Sequence, residues 1–142
     1  MMIRKWLLAC TLIAAPVLQA APIYTAQDLG SLGGSASAYA VNNSGLAVGV
    51  SADLEGYTRA FSSMNASPSA LSATGSYGTA SAVNDLGVVA GTVYVNGVAQ
   101  ATLWKDGIAT NVGGSNSFAM GINDAGQVTG TAVNAFRTAP NA

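Results

Sequence analysis

A ten-residue phrase recurs three times along this 142-residue chain and constrains its fold more than any other feature. Each copy reads small residue, apolar residue, Asn, Asn or Asp, any residue and Gly, followed by four residues that end in Gly. A period of about 40 residues is typical of repeat proteins, whose units stack against one another. The copies span residues 40–49, 82–91 and 121–130.

Each phrase predicts two strands joined by a tight turn. Asn and Asp bond their own backbone, and Gly adopts the positive φ that closes such a turn. Val83 and Val89 flank the second copy as strand formers. Calcium is the alternative use for Asp85, Asp124 and the equivalent Asn43, but Ca²⁺ takes about 6–8 oxygen ligands. Each loop offers one carboxylate at most, so we interpret the phrase as a structural turn and predict no metal site.

The N-terminus predicts a secretory signal peptide over residues 1–20. Arg4 and Lys5 precede an almost wholly apolar run at 6–18, and small residues surround the expected cut after Ala20. The run is shorter than the ~20 residues that span a bilayer. We therefore expect a protein that is secreted, or held in the periplasm or at the cell surface, without a membrane span once the leader is removed.

Leu7 to Cys10 resembles a bacterial lipobox, in which the cysteine is lipidated. Cleavage there would leave residues 6–9 as the apolar segment, short of the ~7–15 residues that a leader needs. We therefore favour the cut after Ala20. Cys10 then leaves with the leader, and the mature chain has no thiol or disulfide.

The charge balance argues against nucleic acid or an anionic membrane surface as a partner. Charged residues make up 8% of the chain, against ~25% in typical soluble domains. Without Arg4 and Lys5 of the leader, three basic residues face six acidic ones, which gives no basic patch. Half of the residues are apolar, so the chain is not a disordered one.

The second unit most clearly predicts a four-stranded antiparallel meander. Its strands are joined by the Asn turn and by two dipeptides, Asn96-Gly97 and Asp106-Gly107, that strongly favour hairpins. We predict the strands at 80–83, 88–95, 98–104 and 108–112.

The other two units follow the same plan less completely. In the first, 53–58 reads as a loop, the glycines of 30–34 as a turn-rich connection, and Pro68 as the close of the unit. In the third, no fourth strand is visible. We predict strands at 23–26, 37–41, 46–51 and 59–62 in the first unit, and at 118–122, 128–133 and 135–137 in the third.

These patterns predict an all-β fold of tandem four-stranded antiparallel meander repeats, each similar to a propeller blade. One β-repeat domain covers 21–142, with units at about 21–74, 75–113 and 114–142, the last truncated. A propeller needs typically 4–8 blades, so the ring would be incomplete. We expect the chain to be the front piece of a longer protein; a complete chain would form a sandwich-like stack or self-associate through exposed sheet edges.

The phrases resemble those of the bacterial extracellular HAF-repeat family. Residues 28–34 resemble the family's Asp-Leu-Gly-Thr-Leu-Gly-Gly element, and residues 122–128 resemble its Ile-Asn-Asp-x-Gly-Gln-Val phrase. The naming triplet His-Ala-Phe stands here without its His, at 59–61, 100–102 and 134–136, and Thr102 also replaces its Phe in the middle copy. The resemblance implies export and a repeat architecture, and it implies no catalytic residue.

Candidate catalytic groups are few. The chain has no His, which removes the commonest general base and the Ser-His-Asp arrangement. Asp53 and Glu55 are the candidates for a glycosidase carboxylate pair, but they fall in a predicted loop, and Asp106 is explained by its turn. The glycines at 30, 33 and 34 resemble a phosphate loop only weakly, because no helix is predicted after them and no Lys is in place. We predict no catalytic residue, cofactor-binding residue or cofactor.

Aromatic residues offer a possible sugar-stacking surface, but Phe61, Trp104 and Phe136 recur near one repeat position and are predicted to lie in the core. Asn42 and Asn65 match the glycosylation pattern and are expected to be bare, because the leader and the family resemblance are bacterial. The remaining aromatic candidates are Tyr39, Tyr57, Tyr77, Tyr94 and Phe118.

We therefore predict a secreted or cell-surface, non-enzymatic repeat module that binds or scaffolds, with an unknown glycan or protein as its ligand. The alternative is the N-terminal part of a propeller-type carbohydrate-active hydrolase or lyase whose active residues lie elsewhere. A matrix or fibril subunit is a third possibility, because charge is low and the strands are rich in valine.

Overall fold

The computed structural model describes residues 23–71, 77–132 and 136–138, with the backbone alone at 136 and 137. The predicted leader, Cys10 and the side chains of the third triplet lie outside these residues. Among the described residues, no helix is long and apolar enough to cross a membrane.

The described residues form three antiparallel sheets, and in each sheet the strands lie side by side in chain order. The all-β class is therefore confirmed, as is the four-stranded meander in the first two sheets. Sheet 1 contains β1 (Gly33–Val41), β2 (Ala47–Asp53), β3 (Thr58–Met64) and β4 (Ser67–Ala70). Sheet 2 contains β5 (Tyr77–Val83), β6 (Val89–Val95), β7 (Val98–Lys105) and β8 (Ile108–Ser115). Sheet 3 contains β9 (Phe118–Ile122), β10 (Val128–Thr131) and β11 (Phe136–Thr138).

Both predicted dipeptide hairpins of sheet 2 are present. Asn96 and Gly97 have φ values of 50° and 77°, and Asp106 and Gly107 have values of 51° and 78°. Two successive left-handed residues make the turn whose twist matches that of paired strands. The turn chemistry of the sequence thus sets where β6, β7 and β8 begin and end.

The hairpin between β3 and β4 is one that the sequence pattern does not predict. Asn65 and Ala66 adopt φ values of 52° and 60°, so the turn forms without a glycine. Pro68, predicted to close the unit, lies instead within β4 and pairs with Ser63. β4 is an edge strand, where a residue without an N–H is tolerated.

Two further predictions are wrong. Residues 23–26 form no strand, and 23–31 run without regular structure. Gly33 and Gly34, predicted as part of a turn, begin β1, where the pairing with β2 contains a bulge. A residue without a side chain fits such a bulge, so these glycines permit an irregular strand and do not end it.

The sheets stack in chain order, because successive residues of a strand point to opposite faces. Val89 packs with Val48 of sheet 1, whereas its neighbour Ala90 packs with Ala119 and Val128 of sheet 3. Each sheet therefore has a near face toward the sheet before it and a far face toward the sheet after it. Sheet 2 is covered on both.

The near face of sheet 1 faces no other sheet of the described residues, and the segment that leads into β1 covers part of it. Ser63 donates its hydroxyl to the carbonyl of Leu29 at 2.6 Å, and Leu32 donates its N–H to Ser51 Oγ at 2.9 Å. Phe61 lies between them and is 1% exposed. Residues 27–32 therefore act as a lid over the centre of this face.

The last glycine of each phrase faces a bulge in the strand before it. Opposite Gly49, Gly91 and Gly130 the pairing skips one residue, Tyr39 and Met120 being two of the three skipped. At Gly91 an added Cβ would overlap the carbonyl oxygen of the facing strand. The glycine of the phrase is thus required by a close backbone approach, in addition to the glycine of the turn.

We predict that Gly91→Ala destabilises the fold by about 3 kcal/mol, because its methyl would overlap the backbone of Thr79 and Ala80 in the facing strand. The control is Gly107→Ala, whose methyl would meet open space and which costs about 1 kcal/mol for its left-handed φ alone. Urea denaturation of both variants measures the difference. Equal losses at the two positions would contradict the close approach.

Candidate functional site

The recurring phrase places three turns, the Asn turns, side by side along one edge of the stack. They comprise residues 42–45, 84–87 and 123–126, and they line a shallow groove of about 270 Å³. Candidate ligating residues from all three copies meet in this groove. It is therefore the first place to look for chemistry.

Within each Asn turn the side chain closes its own loop. The side-chain oxygen of Asn accepts the N–H of the residue four positions later at 2.9 Å in all three turns. The Asn carbonyl accepts the N–H of the turn glycine at 3.0–3.1 Å. That glycine has a positive φ in every copy. The predicted turn is thus confirmed, and Asn42 and Asn84 each keep a side-chain amide nitrogen that their own turn does not use.

The leftover amide nitrogen bonds the next turn. Asn42 Nδ2 donates to the carbonyl of Asn84, and Asn84 Nδ2 donates to the carbonyl of Asn123, each at 2.9 Å. One asparagine therefore shapes its own turn with its oxygen and holds the following sheet with its nitrogen.

The second residue of the first two turns adds a bond that runs in the same direction, from the earlier turn to the later one. The N–H of Asn43 donates to Asp85 Oδ1, and the N–H of Asp85 donates to Asp124 Oδ1, both at 2.9 Å. Asn43 Nδ2 also donates to Asp85 Oδ2. We call these bonds together the turn ladder, which joins positions 42, 84 and 123 and positions 43, 85 and 124.

The ladder gives the candidate calcium ligands a structural role. Both carboxylate oxygens of Asp85 accept bonds from Asn43, and one oxygen of Asp124 accepts the N–H of Asp85. A carboxylate that accepts backbone N–H bonds is satisfied without a cation. Among the described residues, no three or more His, Cys, Asp or Glu side chains group closely enough to hold a metal ion.

The ladder differs between its middle and its third turn. Asn84 is 4% exposed, whereas Asn123 is exposed and donates its Nδ2 to Gln127 Oε1 of its own turn at 2.9 Å. The N–H of Asp124 has no protein acceptor in the described part of the chain. The third turn is thus the end of the ladder, where the N–H of Asp124 has no further turn of the described residues to bond.

Asp53, the candidate partner of Glu55 in a glycosidase pair, closes a hairpin instead. Its Oδ1 accepts the N–H groups of Tyr57 at 2.8 Å and Glu55 at 3.1 Å, and its Oδ2 accepts Arg59 Nε at 2.8 Å. Partial burial raises the pKa of Asp53, but the bonds from Arg59 and the two N–H groups outweigh it and hold the pKa below its ordinary 3.8. Such a carboxylate is a weak base and a poor proton donor at neutral pH.

The other polar candidates also have local roles. Asp28 Oδ1 accepts the N–H of Gly30 at 2.9 Å, so this glycine belongs to a side-chain-closed turn that continues into a strand. Asp106 occupies its hairpin turn, as predicted. At the two glycosylation motifs, Asn42 Nδ2 is engaged in the ladder, and Asn65 lies exposed in the turn before β4.

The aromatic residues divide between core and surface. Phe61 and Trp104 are each 1% exposed, which confirms their predicted place in the core, while the side chain of Phe136 lies outside the described residues. Tyr57 and Tyr77 are 43% and 49% exposed. Their rings meet edge to face at 5.9 Å.

The sequence pattern predicts the turns but not the bonds between them. One sequence signal does indicate these bonds: the Asn and the polar residue after it recur together in every copy, although a single turn needs only one of them. Two adjacent polar residues that recur in every copy are typical of side chains that bond the same positions in the neighbouring repeat.

In comparisons with protein-family models, with characterised proteins and with solved structures, the chain matches none of them.

We predict that Asn84→Asp destabilises the fold by about 2–3 kcal/mol, because it keeps the turn acceptor but replaces the donor to the Asn123 carbonyl by an oxygen. The matched control is Asn123→Asp, whose donor serves an exposed bond within its own turn and whose loss costs about 0.5 kcal/mol or less. Thermal and urea denaturation measure both. Equal losses would show that the bond between turns contributes nothing.

The lowered pKa of Asp53 predicts a pH dependence. The stabilisation from its ion pair is complete above the unfolded value near 3.8 and is lost as the pH falls through the lower, folded value. The difference in melting temperature between the wild type and Asp53→Asn should be full at neutral pH and shrink as the pH falls below that unfolded value. Glu55→Gln, at an exposed side chain, is the control; a gap for Asp53→Asn that is independent of pH would contradict the assignment.

Proposed function

We propose that this protein is a secreted or cell-surface module without enzymatic activity, which binds or scaffolds through a stack of similar sheets. The observation that carries the proposal is that three of its carboxylates are already engaged in structural hydrogen bonds. The carboxylates of Asp53, Asp85 and Asp124 each accept backbone N–H bonds that hold a turn or join two turns. Such groups serve architecture, and their loss would loosen the stack.

We propose further that the three sheets are successive units of one repeat, similar to propeller blades. Two regularities support this reading. Each sheet supplies an equivalent turn to the ladder, and each has a bulge opposite the equivalent glycine. The resemblance to the extracellular HAF repeats belongs to the same proposal.

The surface that best suits a ligand is the exposed tyrosine pair, Tyr57 and Tyr77, which spans sheets 1 and 2. Arg59 lies over the ring of Tyr57, with its guanidinium carbon 5.6 Å from the ring centroid. Exposed aromatic faces beside a cation offer stacking and hydrogen-bond donors together. A neutral or acidic glycan of the cell surface is the ligand class that we propose for them.

The first test is export and binding. The full chain is produced in a bacterial host and located by cell fractionation, and the N-terminus of the product is sequenced. We expect export with a mature N-terminus at Ala21, and retention of the leader in Ala20→Leu, because the cut needs a small residue before it. The exported protein is then applied to an array of neutral and acidic glycans, with Tyr57→Ala/Tyr77→Ala as the binding variant and Tyr24→Ala, which is exposed elsewhere, as the control.

Three results would contradict the proposal. The first is a product that stays in the cytoplasm with its leader intact. The second is binding to no glycan or cell-surface fraction. The third is release of reducing sugar ends from an arrayed polysaccharide at a rate that Asp53→Asn abolishes, because a folded but inactive variant would show that the carboxylate has a catalytic use.

A further inference from the structure

The two ends of the stack differ from its interior, and they differ in complementary ways. At the first end, Val41 is 66% exposed, whereas the equivalent Val83 and Ile122 are half-buried and pack into the cores between sheets. Val83 and Ile122 have a preceding sheet against them. Val41 has none among the described residues.

The exposed apolar surface at the first end forms a groove of about 550 Å³, which we call the head groove. The lid formed by 27–32 covers the centre of the near face around Phe61 and leaves this turn-side part open. Leu29 borders the lid side. The groove is lined by Gln27, Leu29, Ala38, Tyr39, Val41 and Ala47.

At the opposite end, no other sheet of the described residues packs against the far face of sheet 3 beside the third Asn turn. A groove of about 300 Å³, the tail groove, is lined there by Gly121, Ile122, Asn123, Gln127 and Thr129. Thr129 is exposed, although its equivalents Val48 and Ala90 are fully buried on the far faces of sheets 1 and 2. Threonine keeps the shape of valine and tolerates water, which suits a contact that forms and separates.

The turn ladder ends beside the same two grooves with opposite sets of groups. At the tail, the N–H of Asp124 lacks a protein acceptor, and Asn123 Nδ2 is held by a side chain of its own turn. At the head, the carbonyl of Asn42 accepts a bond from its own turn glycine but none from another turn, and Asn43 Oδ1 has no donor among the described residues. The tail therefore presents hydrogen-bond donors of the ladder, and the head presents acceptors.

We propose that copies of this chain associate head to tail, with the tail groove of one copy against the head groove of the next. Asn123 Nδ2 then donates to the Asn42 carbonyl of the next copy, and the N–H of Asp124 donates to its Asn43 Oδ1. The new contact repeats the bonds that already join the Asn turns within one chain. The proposal does not rest on the proposed function, because it needs nothing but the two ends of the stack.

The identity of Asn43 fits this contact. Between the second and third turns, Asp85 and Asp124 place two carboxylates at neighbouring ladder positions, an arrangement that costs energy through like-charge repulsion. A neutral amide at the head gives the Asp124 of another copy an acceptor without a second negative charge. Association between unlike ends is heterologous, and it yields a ring if the rotation closes and a filament if it does not.

The test is a complementation of two variants, each of which blocks one end. Val41→Glu places a charge in the head groove, and Thr129→Glu places one in the tail groove; both positions are exposed, so the fold is expected to persist, which circular dichroism and melting temperature verify. Ile108→Glu, exposed and in neither groove, is the control. Sedimentation velocity over a concentration series measures the mass.

We expect the wild type and Ile108→Glu to grow beyond a dimer as concentration rises, and each blocking variant alone to associate at least about tenfold more weakly. An equimolar mixture of the two blocking variants should form a heterodimer and stop there, because one supplies an intact tail and the other an intact head. A wild type that is monomeric up to about 1 mM would overturn the proposal. Three other results would also overturn it. Association could be lost in Thr129→Glu but kept in Val41→Glu, or it could be kept in both variants. The third result is an equimolar mixture of the two variants that stays monomeric.

Discussion

In each of the first two Asn turns, one asparagine side chain holds this structure together in two directions. Its oxygen closes the turn that begins the second strand of a sheet, and its nitrogen binds the turn of the sheet that follows. Buried amides are stable when both ends are bonded and costly when one is not. At Asn84 both the oxygen and the nitrogen of the side chain are bonded, and the side chain is almost wholly buried. Local folding of a hairpin and stacking of two sheets therefore depend on the same residue.

The ladder matters because the cores between the sheets are made of small side chains. Alanines and valines dominate both clusters, and Trp104 and Phe61 are the largest fully buried residues. Small side chains bury little apolar area each, and smooth surfaces of this kind permit sliding, since many registers pack about equally well. Directional bonds between the turns select one register. Burial drives the sheets together, and the ladder decides how they align.

Local chemistry made much of the fold predictable from sequence. Asn96-Gly97, Asp106-Gly107 and the Asn turns all fall where their φ preferences require, and the all-β class follows from them. The hairpin at Asn65-Ala66 was missed because its turn lacks glycine, and 23–26 was wrongly predicted as a strand because alternation is a weak indicator over four residues. The bonds between turns depend on which sheets become neighbours, which local patterns do not encode. The sequence thus predicts the individual turns, while their connection as a ladder depends on the stack itself.

The most direct test of this account is amide hydrogen exchange at the second residue of each Asn turn, measured by NMR in dilute solution. The side chains of Asn43, Asp85 and Asp124 are all exposed, so general burial does not distinguish their amides. The ladder predicts slow exchange at Asn43 and Asp85, whose N–H groups are bonded to the next turn, and fast exchange at Asp124. Equal exchange at all three would contradict it and would leave the sheets held by apolar contact alone.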